Sequence, residues 1–314
     1  MKRFILALAP LLVLVACANS TLVRQESANH IGMPVQLYPE VIDAGNFRLQ
    51  AYERIHAKGQ PARIYIEGDG HAWQSKRVVS RDPTPMNPVA LKLAAQDRVQ
   101  NVIYLARPCQ FPEKTEQIWT AYNNPGEKDI EKGGLKEKCD QAYWTNKRVA
   151  PEVIASYQDA LNYYRQEYNI PSFEIVGYSG GAAVAAILAA ERSDITTLRT
   201  VAGNLDHTAF TTLHGVSPMS GSLNPTDYAL DLVNVPQRHF VGQRDDIIPP
   251  SIYESYAQKF VDKSCLNVTL VERADHLEGM VEQWGALLEL PVDCKSVTPD
   301  PTAWSRQLNQ DGPK

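Results

Sequence analysis

The chain has 314 residues, of which 44% are hydrophobic and 21% are charged, so it is long enough for one large folded domain. Its 31 Lys and Arg are outnumbered by 36 Asp and Glu, which gives a formal net charge of −5. An acidic chain lacks the basic surface of a nucleic-acid-binding protein, so we expect no nucleic acid among its partners.

The first residues predict export and lipidation. Lys2 and Arg3 precede an apolar run, residues 4–16, that has the length of a signal peptide and is too short to span a bilayer. The run ends in Leu14-Val15-Ala16-Cys17, which resembles the bacterial lipobox, in which the cysteine is lipidated and becomes the mature N-terminus. The alternative is an ordinary secretory signal in which Cys17 is incidental.

The residue after the cysteine is Ala18 rather than Asp. By resemblance to Gram-negative lipoproteins, this favours the outer membrane, with the protein facing the periplasm. The expected organisation is a signal peptide over residues 1–16, a lipid-anchored tether over 17–34, a folded domain over 35–295 and a flexible tail over 296–314. The membrane is therefore an expected partner through the N-terminal lipid.

Four further cysteines predict disulfides, because an even number in an exported chain favours pairing. Of the three possible arrangements we favour Cys109–Cys139 together with Cys265–Cys294. The first pair would hold a long irregular insertion, and the second would attach the C-terminal helix to the start of the last strand. We expect no metal site, since close Cys-x-x-Cys or Cys-x-x-His spacing is absent from the sequence.

Predicted strands and helices alternate along the chain. Hydrophobic patterning indicates a strand at the sheet edge over 47–52, a strand over 63–67, a helix over 88–96 and a strand over 99–105. An irregular excursion follows over 107–147. The remaining elements are a helix over 149–168, a strand over 173–176, a helix over 182–190, a strand over 198–202, a second excursion over 205–234, a strand over 237–241, a helix over 251–261, a strand over 268–271 and a helix over 279–288.

This alternation predicts an α/β fold with a mainly parallel central sheet and helices on both faces. In such sheets ligands bind at the carboxyl ends of the strands. The two excursions are longer than ordinary loops, so we expect both to lie over the functional site.

The most informative motif is Gly177-Tyr178-Ser179-Gly180-Gly181, which stands between a predicted buried strand and a predicted helix of small residues. A Gly-x-Ser-x-Gly in this context is a nucleophile elbow, a sharp turn that exposes the serine hydroxyl above the sheet. Neighbouring chains pass close to such a turn, and Gly177 and Gly181 leave room for them.

A serine hydroxyl needs a base, which is usually a histidine oriented by a carboxylate. His276 lies between the last predicted strand and the last helix and is the candidate base. The candidate acids are Asp245 and Asp246, within the segment 242–249 after the penultimate strand.

The elbow, the segment 242–249 and the late histidine together resemble the α/β-hydrolase superfamily, across roughly residues 45–290. Aligned with the superfamily's Gly-x-x-Asp-x-x-Val-Pro segment, in which Ile248 here replaces Val, Asp245 is the acid that faces His276, while Asp246 would cap the turn or face solvent. The resemblance implies an α/β-hydrolase fold and hydrolysis through an acyl-enzyme, with no metal or organic cofactor. Carboxylic esters are the expected substrates.

The oxyanion hole of such an enzyme needs two backbone N–H donors. The resemblance implies Gly180 as one donor. The second is expected from the loop after the strand 63–67, where many relatives carry His-Gly. Aligning Gly68 with that glycine makes Asp69 the candidate donor, and Glu67 in place of the histidine departs from the pattern.

Five further residues are candidates for the pocket wall: Gly70, His71, Trp73, Tyr178 and His207. Gly70 would permit a close approach of the backbone, whereas Trp73 could equally be structural. His207 follows the end of a strand, and hydrogen bonding within the second excursion is the alternative for it.

A second hypothesis is a lipid-anchored binding or assembly protein on a hydrolase scaffold without turnover. Ser179, Asp245 and His276 are all present, which argues against it, since a silent scaffold has no chemical need for all three.

Overall fold

The structure is a computed structural model that describes residues 21–75, 77–112 and 139–294. The predicted signal peptide, Cys17, the tail over 296–314 and the central part of the first excursion lie outside the described residues.

An eight-stranded mixed sheet forms the centre of the fold, in the order β1-β2-β6-β3-β7-β8-β9-β10. The strands of this sheet are β1 Tyr38–Ala44, β2 Phe47–Ile55, β3 Ala62–Ile66, β6 Asn101–Leu105, β7 Phe173–Tyr178, β8 Ile195–Val201, β9 Gln237–Gly242 and β10 Leu266–Val271; a separate hairpin pairs β4 Trp73–Ser75 with β5 Val78–Val79. β2 runs antiparallel to β1 and β6, whereas the strands from β6 to β10 in this order are parallel neighbours. The predicted fold class is confirmed.

The strand predicted at the edge of the sheet is the second strand of the sheet, β2. β2 contains the predicted segment, but β1 pairs along its outer side, from Tyr38 opposite Glu53 to Ala44 opposite Phe47. β1 escaped prediction because its first residues, such as Pro39 and Glu40, are polar or turn-forming and face solvent. Its two buried residues, Ile42 and Ala44, are too few to give an alternating pattern.

Helices cover both faces of the sheet. They are α1 Thr21–Gly32, α2 Val89–Ala94, α3 Pro151–Tyr168, α4 Gly180–Glu191, α5 His207–His214, α6 Pro250–Ala257 and α7 Met280–Leu288. α3, α4 and α6 contribute to one buried cluster, and α1, α2 and α7 contribute to the other. Alternate side chains of a strand point to opposite faces, so Ile64 and Ile66 enter the first cluster and Tyr65 enters the second.

The described part of the expected tether is folded onto the domain, which corrects the sequence analysis. α1 buries Ala28 in the second cluster, and Tyr52 on β2 donates a hydrogen bond to Asn29 at 2.8 Å. Arg24 is also buried. The segment looked like a linker because its few apolar residues do not follow a helical period, and its polar residues bond to the domain rather than to water.

One of the two expected disulfides is confirmed. Cys265 and Cys294 are bonded, which joins the segment after α7 to the residue before β10. Cys109 and Cys139 are not joined by a disulfide, so that prediction is wrong for this structure. Cys109 packs in a small buried cluster with Ala72 and Trp144, and the half-buried Cys139 packs against the same cluster.

The second excursion is more regular than the sequence indicated. Asp206 caps α5 by accepting hydrogen bonds from the N–H groups of Thr208 and Ala209, both at 3.1 Å. A short 3₁₀ turn, Pro225–Tyr228, follows. Within the described ranges, the helices are all too short or too polar to cross a bilayer.

Candidate active site

Ser179 stands at the turn between β7 and α4 in a backbone conformation that is unfavourable for a side chain, with φ 51° and ψ −122°. A Cβ at Gly177 would lie 2.5 Å from the α-carbon of Ala182, and one at Gly181 would lie 2.3 Å from the carbonyl oxygen of Glu67. Any larger residue at these two positions would push the neighbouring chains apart, so the two glycines allow the sharp turn that raises Ser179 to the carboxyl end of the sheet.

A continuous hydrogen-bonded path joins the predicted serine, histidine and acid. The Oγ of Ser179 lies 3.0 Å from Nε2 of His276, and Nδ1 of His276 lies 2.9 Å from Oδ2 of Asp245. A proton on Nδ1 is donated to Asp245, which leaves Nε2 free to accept the serine proton. Ser179 and Asp245 lie 97 and 31 positions from His276 in the chain. The three residues thus meet at the carboxyl ends of three parallel strands.

The structure also distinguishes the two candidate acids. Asp245 is buried, and its Oδ1 accepts the N–H groups of Ile247 and Ile248 at 2.9 and 2.7 Å, so Oδ2 is directed at His276. Asp246 is exposed. The one-residue ambiguity left by the motif is therefore resolved by which carboxylate faces the ring.

Tyr178 lies behind the histidine rather than in an open pocket wall. Its hydroxyl donates a hydrogen bond of 2.8 Å to the carbonyl of His276, and the two rings are 5.4 Å apart. Burial raises the pKa of Tyr178 well above its usual value, so the hydroxyl keeps its proton. Tyr178 thereby holds the loop that carries His276.

The loop predicted to complete the oxyanion hole lies beside the serine. A Cβ at Gly68 would be 3.2 Å from Cβ of Ser179, and one at Gly180 would be 2.2 Å from Oδ1 of Asp69. Gly70 has φ +63°, and a Cβ there would lie 2.1 Å from the carbonyl oxygen of Pro83. Gly70 therefore does permit a close approach of the backbone, and the backbone that approaches it is that of Pro83.

Two arginines bind the side chain of Asp69, and sequence reasoning missed both. Arg107 donates to Oδ1 at 3.2 Å, and Arg148 donates to Oδ2. Burial opposes ionisation of Asp69, but the nearby guanidinium groups of Arg148 and Arg107 outweigh it and lower the pKa of the carboxyl. Arg107 lies two residues after the end of β6, near the carboxyl end of a strand, and this position could have identified it. Nothing local identified Arg148.

Glu67, which replaces the histidine of the His-Gly pattern, holds the start of the same loop by hydrogen bonds. Its Oε1 accepts the N–H of Gly68 at 2.8 Å and that of Ala90 at 3.4 Å, while Tyr104 donates to Oε2 at 3.2 Å. Burial raises the pKa of Glu67 to about 7, despite these hydrogen bonds. A buried acceptor thus fixes the start of the loop that bears Asp69.

The pocket candidates His71 and Trp73 have their neighbours elsewhere in the fold. His71 is next to Arg24 and Asp82, and burial followed by the charge of Arg24 lowers its pKa. Trp73 is 44% exposed on the β4–β5 hairpin. Among the described residues, no hydrogen bond or ring contact joins His71 or Trp73 to Ser179 or His276.

His207 begins α5 in the second excursion, where burial lowers its pKa and the backbone of Ser222 and Leu223 interacts with it. Its N–H also donates to Asn224 at 3.2 Å. This environment matches the structural alternative in the sequence analysis.

The fold and the arrangement of Ser179, His276 and Asp245 define an α/β-hydrolase. The sequence model of the family described as Serine hydrolase (FSH1) matches residues 90–276, which is more than half of the chain and includes all three residues. The chain belongs to this family of serine hydrolases.

Solved structures show the same fold. Est1E from Butyrivibrio proteoclasticus is 11% identical, with 80% of this chain and 96% of that chain covered and a TM-score of 0.51. The esterase Pf2001 from Pyrococcus furiosus is 13% identical, with 82% and 92% covered and a TM-score of 0.51. A protein of unknown function from Agrobacterium tumefaciens is 14% identical, with 87% and 97% covered and a TM-score of 0.51.

At these identities the likeness concerns the fold alone. The search of curated protein sequences returned no match.

Proposed function

We propose that this serine hydrolase cleaves carboxylic esters through an acyl-enzyme on Ser179, with His276 as the base and Asp245 as the residue that orients it. The observation that carries the proposal is the unbroken path from the Oγ of Ser179 to the buried carboxylate of Asp245. One protein with the same fold, Pf2001 from Pyrococcus furiosus, is named as an esterase, which agrees with the proposal but says nothing about specificity.

The reaction follows from the geometry. Ser179 Oγ attacks the ester carbonyl carbon while its proton passes to Nε2 of His276, and the resulting imidazolium is stabilised by Asp245. The negative charge that develops on the carbonyl oxygen is met by the N–H groups of Gly180 and Asp69. Gly180 is the first residue of α4, where N–H groups have no acceptor within the helix.

Collapse of this intermediate breaks the bond to the alcohol oxygen, which takes the proton from His276 and leaves as the alcohol. Water, deprotonated by His276, then attacks the acyl carbon; the bond from that carbon to Oγ of Ser179 breaks, Oγ takes the proton back from His276, and the carboxylic acid is released. Both half-reactions balance in protons and electrons, and neither step uses a cofactor.

A fluorophosphonate probe tests the proposal. Wild-type protein is expected to be labelled, and Ser179→Ala is expected not to be. With a series of nitrophenyl esters of increasing acyl length, Ser179→Ala and His276→Ala should each lose at least about three orders of magnitude in turnover, and Asp246→Asn serves as the matched surface control.

Absence of labelling in folded wild-type protein would favour the second hypothesis, a binding protein on a silent scaffold. Labelling without turnover of any nitrophenyl ester would retain the serine nucleophile and remove the ester assignment, leaving thioesters and amides.

We further propose that Cys17 carries a lipid and holds the protein at the outer membrane, facing the periplasm. The lipobox-like Leu14-Val15-Ala16-Cys17 and the Ala18 that follows support this. Metabolic labelling with palmitate in a Gram-negative host should mark the wild-type chain, and Cys17→Ser should abolish the label. An unlabelled wild-type chain that is cleaved and secreted would contradict the proposal.

A further inference from the structure

Four exposed apolar side chains lie on chain segments that meet at the start of α1. Leu22, Trp73, Val78 and Met86 are 64%, 44%, 50% and 53% exposed. We refer to these four residues as the apolar face. Isolated exposed apolar residues are ordinary, but several at one place mark an interaction surface.

Hydrogen bonds bring the segments of the apolar face together. The hydroxyl of Thr21 bonds to the carboxylate of Asp82, and Arg24 donates to the carbonyl of Thr84 at 2.7 Å. Ser80 donates from its hydroxyl to the carbonyl of Asp82 at 2.8 Å and from its N–H to Ala72 at 2.9 Å. The first turn of α1 is therefore fixed to the loop that flanks both the β4–β5 hairpin and Met86.

The same loop borders the active site. The N–H of His71 donates to the carbonyl of Pro83 at 3.0 Å, and a Cβ at Gly70 would lie 2.1 Å from that oxygen. The two residues before Gly70 are Asp69, which contacts Gly180, and Gly68, which adjoins Ser179. The apolar face and the nucleophile are thus parts of one connected loop system.

In the sequence, the predicted lipidation site lies close to the first residue of α1. Cys17 precedes Thr21 by four residues, which can extend over roughly 14 Å at most. A tether of the full length 17–34 would have reached roughly 60 Å and allowed any orientation. Because α1 is packed on the domain, a lipid on Cys17 enters the bilayer close to Leu22.

Charge also favours a membrane at this face. Arg77 lies in the hairpin between β4 and β5, Arg81 follows the hairpin, and both are exposed in a chain whose net charge is −5. Tryptophan and aliphatic residues flanked by arginine suit the boundary between acyl chains and anionic headgroups.

We propose that the apolar face docks on the surface of a bilayer containing anionic phospholipid, beside the lipid on Cys17, and so presents Ser179 to ester substrates held in that bilayer. The docking is inferred from the exposed side chains, the hydrogen bonds and the two arginines, whereas the substrate class rests on the proposed esterase function. The substrates are thereby amphiphilic esters that reach the site from the membrane.

Tryptophan fluorescence tests the docking. Lipidated full-length wild-type protein and Trp73→Phe are placed in vesicles of phosphatidylethanolamine and phosphatidylglycerol with or without brominated acyl chains. The other four tryptophans, Trp119, Trp144, Trp284 and Trp304, are common to both proteins, so the difference between the two signals isolates Trp73. We expect brominated lipid to quench that difference signal by at least about twofold. An unquenched Trp73 overturns the docking, as does a wild-type chain without lipid on Cys17.

A matched pair of variants tests the substrate class. Val78→Asp places a charge on the apolar face, whereas Val261→Asp places the same charge at a residue that is 83% exposed before β10, at the opposite end of the strands. We expect Val78→Asp to lower turnover of a vesicle-embedded long-chain ester at least tenfold, with turnover of soluble nitrophenyl acetate unchanged. Val261→Asp should change neither. Met86→Asp repeats the test if Val78→Asp does not fold.

The outcomes separate the two proposals. Equal loss with Val78→Asp and Val261→Asp, or no loss with either, overturns the membrane-held substrate. Quenching of Trp73 in a wild-type protein that turns over neither ester overturns the esterase assignment and leaves the docking in place.

Discussion

The carboxylate of Asp69 lies against the α-carbon of Gly180, so closely that a methyl group on residue 180 would be 2.2 Å from Oδ1 of Asp69. These are the two residues whose N–H groups we expect to receive the negative charge of the intermediate. Arg107 and Arg148 hold the carboxylate in this place. The backbone geometry of the proposed oxyanion hole thus depends on an ion-paired side chain packed across it.

Gly180→Ala is the direct test of this contact. The added methyl group must displace Asp69 and its loop, and a shift of about 1 Å in a catalytic group can cost roughly a hundredfold in rate. We expect kcat for a soluble nitrophenyl ester to fall by about that factor, with the unfolding midpoint little changed. The double variant Gly180→Ala/Asp69→Gly removes the obstructing carboxylate and should recover part of the loss. A Gly180→Ala enzyme with wild-type kcat would show that the contact does not matter.

The two neighbouring acids should differ sharply. Asp245→Asn keeps the shape but destabilises the imidazolium and the required tautomer, so we expect kcat to fall by about four orders of magnitude. Asp246→Asn should stay within about twofold, because Asp246 is exposed. Steady-state kinetics on one soluble ester measures both variants. The reverse ranking would assign the acid to Asp246.

Glu67 should make stability depend on pH. Its pKa rises by burial from an ordinary 4.5 to about 7, so between these values the folded protein keeps a proton that the unfolded chain releases. Stability from Glu67 is therefore fully present below pH 4.5 and is lost as pH rises through 7, by about 3 kcal/mol in all.

Glu67→Gln removes this titration while keeping the hydrogen-bonding shape. Urea unfolding of both proteins from pH 4.5 to pH 8 should show the wild type losing stability relative to Glu67→Gln as the pH rises. Curves that stay parallel over this range would mean that Glu67 ionises normally.

The Cys265–Cys294 disulfide should stabilise the domain without affecting chemistry. It closes a loop with a sequence separation of 29, for which the entropic estimate is about 3.6 kcal/mol. Cys265→Ser/Cys294→Ser should lower the unfolding free energy by about 2–4 kcal/mol and leave ester turnover unchanged. Dithiothreitol should lower the melting temperature of the wild type but not that of the variant. A further drop in the variant would indicate a bond between Cys109 and Cys139.

The fold could be read from the sequence because its strands and helices carry strong local patterns. Ile175 and Val176 lie in a short apolar run, which predicts a buried strand. Gly177 and Gly181 stand two residues before and two residues after Ser179, which predicts the sharp turn of the elbow. Where the local pattern is weak, prediction failed: β1 is mostly exposed, and α1 is held by Thr21, Arg24 and Asn29 rather than by an apolar stripe.

The sequence by itself determined which groups can do the chemistry, since an elbow serine, a late histidine and an acid after the penultimate strand are local motifs with fixed places on an α/β sheet. Only the tertiary structure decided which neighbours those groups meet. Arg148 reaches Asp69 from 79 residues away, Glu67 supports the loop from below, and Thr21 holds the start of α1 to Asp82. Such pairings depend on how distant segments pack against each other. They produce no hydrophobic periodicity in either segment from which they could be predicted.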